Sequence, residues 1–238
     1  MVKEQKKLFS QLKQLGAEVL QIIYPNVCLA CGNALSWGQE YICLACLQNL
    51  PYTRYWEIED NPMEMHLWGR FKFERAVALF HFEKSGKVQN LLHELKYRNQ
   101  PQLGVFLGKL LGRKMKENMP CQYDTIIPVP LHPQRMLERG YNQAKMFALG
   151  LSEVLECEVA EDILIRSKAS PTQTKKTLFE RLDNVANIFE IKDSARLNDK
   201  HILLVDDVLT TGATIESCAN ELIKAGTIRL SIATIAVA

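Results

Sequence analysis

The chain has 238 residues, enough for one large or two modest domains, and 47% of them are hydrophobic, so it can bury a core. Its formal net charge is only +2, so bulk electrostatics argue neither for nor against a nucleic-acid partner. No signal peptide and no apolar run of membrane-spanning length occurs, and four of the seven cysteines are paired in a metal-site pattern, which together predict a cytoplasmic protein.

The first 24 residues are predicted to form an amphipathic helix. Leu8, Leu12 and Leu15 recur at helical spacing beside several lysines, and Pro25 ends the pattern. We expect this helix, residues 1–24, to dock on the protein's own body or on a partner, with a membrane surface as the alternative.

Four cysteines then form two Cys-x-x-Cys pairs. Cys28 and Cys31 make the first pair, and Cys43 and Cys46 make the second. Two such turns aim four thiolates at one ion, which predicts a small zinc ribbon over residues 25–56. Iron with the same ligands and a pair of disulfides are the alternatives. Since four ligands close the shell and the segment is too small for a hydrophobic core, the zinc is expected to be structural.

Several aromatic residues of this segment lie between the cysteine pairs or downstream of them. They are Trp37, Tyr41, Tyr52, Tyr55 and Trp56. Such rings stack on nucleic-acid bases or pack one domain against the next, and we favour packing. Residues 57–69 are polar and acidic, contain a proline and a glycine, and are interpreted as a linker. The main domain is therefore placed at residues 70–238.

The next segment is predicted to contain one strand and two helices. Hydrophobic patterning places the strand at residues 73–82 and the helices at residues 87–97 and 103–117. The first helix ends with two cations, Lys96 and Arg98. They are interpreted either as a contact for a diphosphate or as an ordinary solvated helix end.

A second strand, at residues 124–129, leads into a proline-rich loop. Three prolines predict an extended and rigid backbone there, and a helix follows at residues 142–155. Arg135 and Arg139 lie four residues apart and share a face in a helical turn, so they are candidates for bidentate phosphate contacts. His132 is interpreted as a structural hydrogen-bonding residue, with a proton donor as the alternative.

Short strands are predicted at residues 163–166 and 187–191, on either side of a polar and basic loop. The cations of this loop are Lys168, Lys175, Lys176 and Arg181. Its composition is typical of a mobile surface loop. A final apolar strand is predicted at residues 230–237.

The segment HILLVDDVLTTGAT, residues 201–214, carries the strongest functional signal. The apolar run at residues 202–205 predicts a strand buried on both faces of a parallel sheet. Two carboxylates, Asp206 and Asp207, follow it, and then a loop of small residues leads into a helical pattern. In an open α/β sheet, ligands bind outside the carboxyl ends of the strands, where this loop is expected to lie.

The residue types of this loop fit one phosphate monoester beside a diol. Gly212 permits close backbone approach, and the free N–H groups at the start of the following helix favour an anion. The two aspartates repel that anion but accept hydrogen bonds from neighbouring hydroxyls. A phosphate beside a vicinal diol describes ribose 5-phosphate. The P-loop and dinucleotide-binding glycine patterns are both absent from the chain.

The segment VDDVLTTGAT closely resembles the motif with which type I phosphoribosyltransferases bind 5-phosphoribosyl 1-diphosphate (PRPP). The resemblance implies that Asp206 and Asp207 bind the ribose 2- and 3-hydroxyls and that the amides of residues 210–214 hold the 5-phosphate. In that family the diphosphate loop follows the first core strand, which corresponds here to the loop with Arg135 and Arg139. The implied fold is α/β, a type I phosphoribosyltransferase fold with a central parallel sheet, preceded by a small zinc ribbon and an N-terminal amphipathic helix.

The resemblance also defines the predicted site, with Mg²⁺ accompanying PRPP. The predicted catalytic residues are Asp206, Asp207, Arg135 and Arg139. The predicted PRPP-binding residues are Asp206, Asp207, Val208, Leu209, Thr210, Thr211, Gly212, Ala213, Thr214, Pro130, Leu131 and Lys96. In this family a flexible loop closes over the substrate, and the basic loop is the expected lid.

The order of the motifs resembles the ComF family of competence proteins. A four-cysteine ribbon precedes LKYR, PVPLHPQRMLERGYNQA, TQT, FERLDNV and VDDVLTTGAT. That family is tied to natural transformation, so the resemblance implies single-stranded DNA and a competence helicase as partners. The acceptor of a phosphoribosyl transfer is not visible in the sequence.

Three functions remain compatible with these residues. The first is a phosphoribosyltransferase that uses PRPP and Mg²⁺. The second is a non-catalytic PRPP-binding accessory protein that handles single-stranded DNA. The third is a zinc-dependent DNA-binding module that uses the basic loop and the ribbon. The first two share every residue of the PRPP motif, so the motif does not separate them.

Overall fold

The computed structural model describes residues 26–119, 121–166 and 188–238. The predicted N-terminal helix at residues 1–24 and the basic loop between the two short strands lie outside the described residues. The described chain forms two compact units, an N-terminal unit that ends at Leu50 and a C-terminal unit that begins at Pro51. The boundary therefore falls earlier than residue 56, the predicted end of the ribbon.

The N-terminal unit is built from two turns and one short helix. Val27 and Ala34 form an antiparallel bridge, and the N–H of Gly32 donates to the carbonyl of Cys28 at 2.7 Å. Gly32 has a φ of +79°, a backbone conformation that glycine adopts without a steric penalty. Helix α1, Leu44–Asn49, begins directly after the third cysteine of the motif. Each Cys-x-x-Cys pair thus sits on a tight turn or a helix start.

The C-terminal unit alternates helices with strands. Its elements are a 3₁₀ helix (Tyr55–Glu57), α2 (Pro62–Leu67), β1 (Ala76–His81), α3 (Lys87–Tyr97), α4 (Pro101–Asn118), β2 (Thr125–Pro128), α5 (Pro133–Arg139), α6 (Gln143–Leu155), β3 (Glu158–Val159), β4 (Leu164–Arg166), β5 (Phe189–Ile191), a second 3₁₀ helix (Ser194–Leu197), β6 (His201–Leu209), α7 (Ala213–Lys224) and β7 (Arg229–Val237). The helix predicted at residues 87–97 is confirmed with the same bounds. None of the helices in the described ranges is both long enough and apolar enough to span a membrane.

Five of these strands form the predicted parallel sheet, in the order β1-β7-β6-β2-β3. The central strands β6 and β7 are apolar along most of their length and are buried, as expected for a sheet covered on both faces. Strands β4 and β5 pair antiparallel in a separate small sheet. At the start of β6, His201 is fully buried and its ring nitrogens contact the carbonyl of Gln122 at 3.0 Å and the hydroxyl of Ser231 at 2.9 Å.

Helices α4 and α6 pack so closely that glycines are needed where they touch. A Cβ added to Gly108 would lie 2.2 Å from the carbonyl oxygen of Phe147, and one added to Gly150 would lie 2.0 Å from that of Val105. Small residues at such a contact allow the two backbones to approach directly. This pair of helices covers the sheet and fixes the start of α6 beside the end of β2.

The linker interpretation of residues 57–69 is wrong. Asn61 caps α2 by accepting from the N–H of Glu64 at 3.2 Å, and the Glu64 carboxylate accepts from the N–H of Asn61 at 3.0 Å. Met63 and Leu67 are buried, and Glu64 also accepts from the guanidinium of Arg75 at 2.8 Å. A capped, anchored helix therefore stands where the composition indicated a linker.

The aromatic residues at the end of the predicted ribbon, residues 25–56, lie in the C-terminal unit and pack there. The rings of Tyr52 and Phe80 lie 5.1 Å apart, and those of Tyr55 and His81 lie 5.5 Å apart. Trp56 is buried, whereas Trp37 of the N-terminal unit is 93% exposed. Tyr52, Tyr55 and Trp56 therefore belong to the C-terminal unit, and the packing of the ribbon on the next domain stays a prediction.

Candidate functional site

A cleft of about 440 Å³ opens at the carboxyl ends of β2 and β6. It is lined by Phe82, Gln89, Leu92, His93, Lys96, Tyr97, Val129, Pro130, Leu131, Arg135, Arg139, Asn142, Gln143, Ala144, Arg166, Asp206, Asp207, Val208, Thr210 and Thr214. A second cavity of about 20 Å³ lies within the loop between β6 and α7. The cleft is where ligands bind in open α/β sheets.

The acidic pair lies on β6 itself. The prediction ended this strand at Val205, but β6 continues to Leu209 because β7 pairs with it as far as Val237. Asp206 and Asp207 are therefore held by the sheet rather than by a loop. This pairing explains why the two carboxylates have fixed positions at the floor of the cleft.

One cation already neutralises this pair. The ammonium of Lys96 lies 2.9 Å from Oδ2 of Asp207, and the N–H of Asp207 donates to Oδ1 of Asp206 at 2.7 Å. Burial, followed by the neighbouring charge of Asp207, raises the pKa of Asp206 to about 8. Lys96 thus provides a positive partner for this pair, and a cation or hydroxyl groups are natural partners of its carboxylates.

The loop that follows β6 has the conformation expected of an anion-binding turn. Gly212 is buried with a φ of +79°, and its carbonyl accepts from the N–H of Glu216 at 2.8 Å, which starts the hydrogen-bond ladder of α7. Thr210, Thr211 and Thr214 are exposed at the mouth of this loop. Oγ1 of Thr211 accepts from the N–H of Ala213, the first of α7, at 3.5 Å, and hydroxyls and N–H groups at such a helix start favour an anion.

Two residues outside the motif hold this loop from behind. A guanidinium nitrogen of Arg70 donates to the carbonyl of Thr211, and Nε2 of His66 lies 3.3 Å from the same oxygen. In a trans peptide the carbonyl and the next N–H point in opposite directions. Holding the carbonyl of Thr211 towards Arg70 therefore turns the N–H of Gly212 away from Arg70. Arg70 also lies 3.6 Å from the carboxylate of Glu216.

Three arginines gather at another part of the cleft. Nη1 of Arg139 donates to Oε1 of Gln143 at 2.7 Å, and its guanidinium lies 5.6 Å from the centre of the Tyr97 ring. Burial and the nearby charge of Arg135 lower the pKa of Arg166. Among the described residues, Nε of Arg166 is the one buried side-chain nitrogen that has no hydrogen-bond partner. This concentration of positive charge fits a multiply charged anion.

The loop between β2 and α5 is tied to α6 by one residue. Asn142 donates to the carbonyl of Val129 at 2.9 Å and caps α6 by accepting from the N–H of Ala144, also at 2.9 Å. His132 caps α5, because its Nδ1 accepts from the N–H of Gln134 at 3.2 Å. The histidine thus makes a structural hydrogen bond, as favoured from the sequence. Arg135 is exposed on α5 and lines the cleft.

The structure brings the predicted PRPP-binding and catalytic residues to these two adjoining cavities. The larger cleft contains Lys96, Pro130, Leu131, Arg135, Arg139, Asp206, Asp207, Val208, Thr210 and Thr214, and the smaller one adds Leu209, Thr211, Gly212 and Ala213. The side chain of Leu209 is buried in the core with only 1% exposure, so it is not accessible to a ligand. Arg98 is exposed and does not line the cleft.

Sequence reasoning missed several residues of the site. Arg166 was recognised only as the end of a strand, and Arg70 was given no role as the first residue of the predicted main domain. Gln89, His93 and Tyr97 recur every four residues on α3, a spacing that would have placed them on the same face as Lys96. For Arg70 no sequence signal existed, because its partner Thr211 lies 141 residues away.

The four cysteines of the N-terminal unit form one cluster. Their sulfur atoms all lie within 4.8 Å of one another, and those of Cys31 and Cys43 are 3.9 Å apart. Four thiolates at the usual zinc–sulfur distance of about 2.3 Å from one ion are separated by roughly 3.8 Å. All four are free thiols rather than disulfides. The arrangement therefore fits a tetrahedral metal ion.

The electrostatics of this cluster also fit a cation. Although burial disfavours its thiolate, Cys28 has a pKa lowered to about 7 by hydrogen bonds from the backbone of Cys43, Cys31 and Ala30. Burial and then the three neighbouring thiols raise the pKa of Cys46 to about 12. Without a cation, four thiolates this close together repel each other. A metal ion allows all four to be ionised.

Comparison with known proteins identifies related sequences over most of the chain. A family model for the phosphoribosyl transferase domain matches residues 142–237. Competence protein ComFC of Bacillus subtilis is 33% identical over 205 residues, 84% of this chain and 79% of that protein. DNA utilization protein YhgH of Escherichia coli O157:H7 is 30% identical over 221 residues, 85% of this chain and 92% of that protein. Competence protein F of Haemophilus influenzae is 27% identical over 211 residues, 84% of this chain and 91% of that protein.

More distant likenesses are found among solved structures. The glutamine phosphoribosylpyrophosphate amidotransferase of B. subtilis matches 60% of this chain and 30% of its own, at 18% identity and a TM-score of 0.43. The purine phosphoribosyltransferase of Pyrococcus horikoshii matches 56% of this chain and 70% of its own, at 22% identity and a TM-score of 0.34.

Proposed function

This chain belongs to the ComF family of competence proteins and has the type I phosphoribosyltransferase fold with an N-terminal four-cysteine cluster, and from that premise we propose that it binds PRPP in the cleft and transfers its 5-phosphoribosyl group. The observation that carries the proposal is the juxtaposition of an acidic pair, an anion-binding turn and a cluster of arginines around one cleft. These three groups match the diol, the 5-phosphate and the diphosphate of PRPP.

Each part of the cleft would hold one part of this ligand. The ribose 2- and 3-hydroxyls would hydrogen-bond to Asp206 and Asp207, and the 5-phosphate would accept hydrogen bonds from the loop of residues 210–214. Arg135 and Arg139 would hold the diphosphate. The guanidinium of Arg166, partly desolvated beside Arg135, supports the same role. Lys96 would leave Asp207 and turn to the diphosphate when the sugar arrives.

The residues at the floor of the cleft also fit Mg²⁺. The acidic pair offers carboxylate oxygens, the ligands that Mg²⁺ prefers, and it attracts a cation strongly enough to hold Lys96 at 2.9 Å. When bound, Mg²⁺ would neutralise charge on the diphosphate oxygens while it keeps several waters. Asp206 and Asp207 would then serve both the hydroxyls and the hydrated ion.

The transfer would exchange one bond at C1 of the ribose. The bond between C1 and the diphosphate oxygen breaks, and the leaving diphosphate keeps the electron pair. The nucleophilic atom of the acceptor forms the new bond to C1 and releases its proton. Positive charge develops on the sugar ring as the first bond breaks, and the carboxylates of Asp206 and Asp207 would stabilise it. The arginines would stabilise the charge that accumulates on the diphosphate.

Diphosphate release from PRPP tests this proposal. We expect purified protein to release diphosphate from PRPP and Mg²⁺ when a suitable acceptor is supplied, and the combined variant Asp206→Asn with Asp207→Asn to lose PRPP binding. Lys96→Ala should weaken PRPP binding, whereas Arg98→Ala, its exposed neighbour outside the cleft, is the matched control and should not. Unchanged calorimetric affinity in the double Asp variant would refute the site.

A second candidate function is an accessory role in which PRPP is bound but not consumed. The relatives named for competence and DNA utilization, rather than for a reaction, favour it. Saturable PRPP binding without diphosphate release from any acceptor would support this role over transfer. Single-stranded DNA and a competence helicase remain predicted partners. A gel shift at stated salt, with Lys175, Lys176 and Arg181 neutralised, tests the DNA contact.

For the cysteine cluster we propose zinc in a structural role. The sulfur separations and the four-thiolate set support a closed tetrahedral shell, in which no position is left for a substrate. Metal analysis of the purified protein should give one zinc per chain. Iron in its place would show the rubredoxin-type alternative.

A further inference from the structure

The last turn of helix α3 carries Lys96, which contacts the acidic pair of the cleft. The last four carbonyls of a helix have no partner within that helix. Here the N–H of Arg98 donates to the carbonyl of Glu94 at 3.1 Å. The hydroxyl of Tyr141 donates to the next carbonyl, that of Leu95. A residue that lies 46 positions further along the chain thus closes the end of α3.

Tyr141 is itself held in place by its surroundings. Burial raises the pKa of Tyr141, and a hydrogen bond from the backbone of Gln100, just before α4, opposes that rise. The backbone carbonyl of Tyr141 accepts from Nε2 of Gln143 at 3.1 Å. The next residue, Asn142, donates to the carbonyl of Val129, just after β2. The phenol therefore joins the end of α3 and the start of α4 to a segment that is anchored on the sheet.

This contact acts on Lys96 through one peptide group. The carbonyl of Leu95 and the N–H of Lys96 belong to the same rigid plane. Fixing that carbonyl therefore fixes the backbone from which the side chain of Lys96 starts, while the side chain itself remains able to turn about its own bonds. Tyr141 does not line the cleft, so an effect of Tyr141 on a ligand passes through the residues that it holds.

A lysine that exchanges partners during binding benefits from a fixed backbone. In the proposed function, Lys96 leaves Asp207 and turns to the diphosphate of PRPP. A side chain on an ordered backbone loses less conformational entropy on binding than one on a loosely held helix end, because the backbone has been ordered before the ligand arrives. The hydrogen bond from Tyr141 provides that order at the end of α3.

We propose that Tyr141 is a positioning residue for PRPP, which holds the last turn of α3 so that Lys96 reaches the diphosphate from its place beside Asp207. This inference rests on the proposed function, because it assumes that PRPP occupies the cleft. Ribose 5-phosphate has no diphosphate, so its affinity does not depend on this movement of Lys96. The effect of Tyr141 is therefore confined to the diphosphate end of the ligand.

Calorimetry of Tyr141→Phe with PRPP and with ribose 5-phosphate, each in the presence of Mg²⁺, tests this role. The substitution keeps the ring and removes one hydrogen bond, so the affinity for PRPP should fall about 2- to 10-fold. The affinity for ribose 5-phosphate should not fall. Tyr52→Phe, which removes a hydroxyl outside the cleft, is the matched control and should alter the affinity for neither ligand. All variants are compared at a temperature at which thermal unfolding shows them to be folded.

A double-mutant comparison shows whether Tyr141 acts through Lys96. In the Lys96→Ala background, Tyr141→Phe should cause no further loss of PRPP affinity, because the side chain that it positions is gone. Additive losses, or equal losses for PRPP and ribose 5-phosphate, would show a general structural role and refute the inference while the proposed function stands. Unchanged PRPP affinity in Tyr141→Phe would refute it as well. If the wild-type protein binds neither ligand, the proposed function fails, and this inference fails with it.

Discussion

Replacing Gly212 by alanine should damage the anion-binding turn through two separate effects. The φ of +79° costs an L-residue about 1–2 kcal/mol, part of which is offset by the lower entropy of the unfolded chain. The new Cβ would also lie 3.0 Å from Nη1 of Arg70 and 3.1 Å from Cδ2 of Leu67. Crowding of this kind typically costs about 1–3 kcal/mol, less when flexible side chains move away.

Gly140 provides a matched control for the first effect. It has a φ of +76°, and a Cβ added there would have no heavy atom within 4 Å. Gly140→Ala should therefore cost about 1 kcal/mol from backbone strain alone, and Gly212→Ala about 1–2 kcal/mol more. In a domain of this size, each kcal/mol corresponds to a fall in Tm of about 2–4 °C. Thermal unfolding of both variants measures the difference.

The affinity for ribose 5-phosphate distinguishes loss of the contact between Arg70 and Thr211 from general destabilisation of the fold. If the alanine displaces Arg70, the carbonyl of Thr211 loses its partner, and the affinity for ribose 5-phosphate should fall at least tenfold at a temperature where the variant is fully folded. Arg70→Met should weaken the same ligand, and Arg70→Lys should restore part of the loss. Equal stability of the Gly212 and Gly140 variants, with unchanged affinity for ribose 5-phosphate, would refute the role assigned to Arg70.

Three further predictions concern protons and metal. Burial raises the pKa of Asp206 to about 8. If PRPP binds only when both carboxylates are ionised, its binding should release a proton from Asp206, and its affinity should rise from pH 6 to pH 8. Calorimetry in buffers of different ionisation enthalpy measures that proton, and a flat pH profile would contradict it. Burial lowers the pKa of His201, so the unfolded state takes up a proton first, and the free energy of unfolding should fall as the pH drops below about 6.5. Denaturant titrations at pH 7.5 and pH 5.5 check this, and His201→Gln should reduce the dependence. Chelation of the metal, or Cys43→Ser, should unfold residues 26–50 and leave residues 51–238 folded, as two separate changes in hydrogen exchange. Simultaneous loss of protection in both would show one cooperative unit.

The sequence predicted the central strand–loop–helix segment because its signals are local. An uninterrupted apolar run indicates a strand buried on both faces, and a glycine among hydroxyl residues indicates a tight turn before a helix. The end of β6 was placed too early, at Val205, since the pairing with β7 that extends the strand to Leu209 is set by a distant part of the chain. Strand ends depend on such partners, which a single segment does not reveal.

The error at residues 57–69 has a different cause. The pattern Asn61-Pro62 followed by Glu64 is a helix start, in which the asparagine caps and the glutamate closes a capping box. Overall polarity outweighed that local signal in the interpretation as a linker. A polar segment that contains a capping box and two buried apolar residues is therefore better described as a short helix.

The electrostatic contacts of the site could not be derived from sequence. Lys96 was a candidate for the diphosphate, but in the structure it pairs with Asp207. Arg70 reaches the carbonyl of Thr211, and Arg166 shares the cleft with Arg135, through the folding of the sheet. Residue types indicate which groups bind phosphate, whereas tertiary structure decides which of them meet.

The central claim is that a phosphorylated ribose binds where β6 leads into α7. A crystal structure with ribose 5-phosphate and Mg²⁺ tests it most directly. We expect the phosphate on the N–H groups of residues 210–214, with the amide of Gly212 among its donors, and the 2- and 3-hydroxyls at Asp206 and Asp207. Density for the sugar at any other position, or none at a concentration that saturates calorimetric binding, would contradict the assignment.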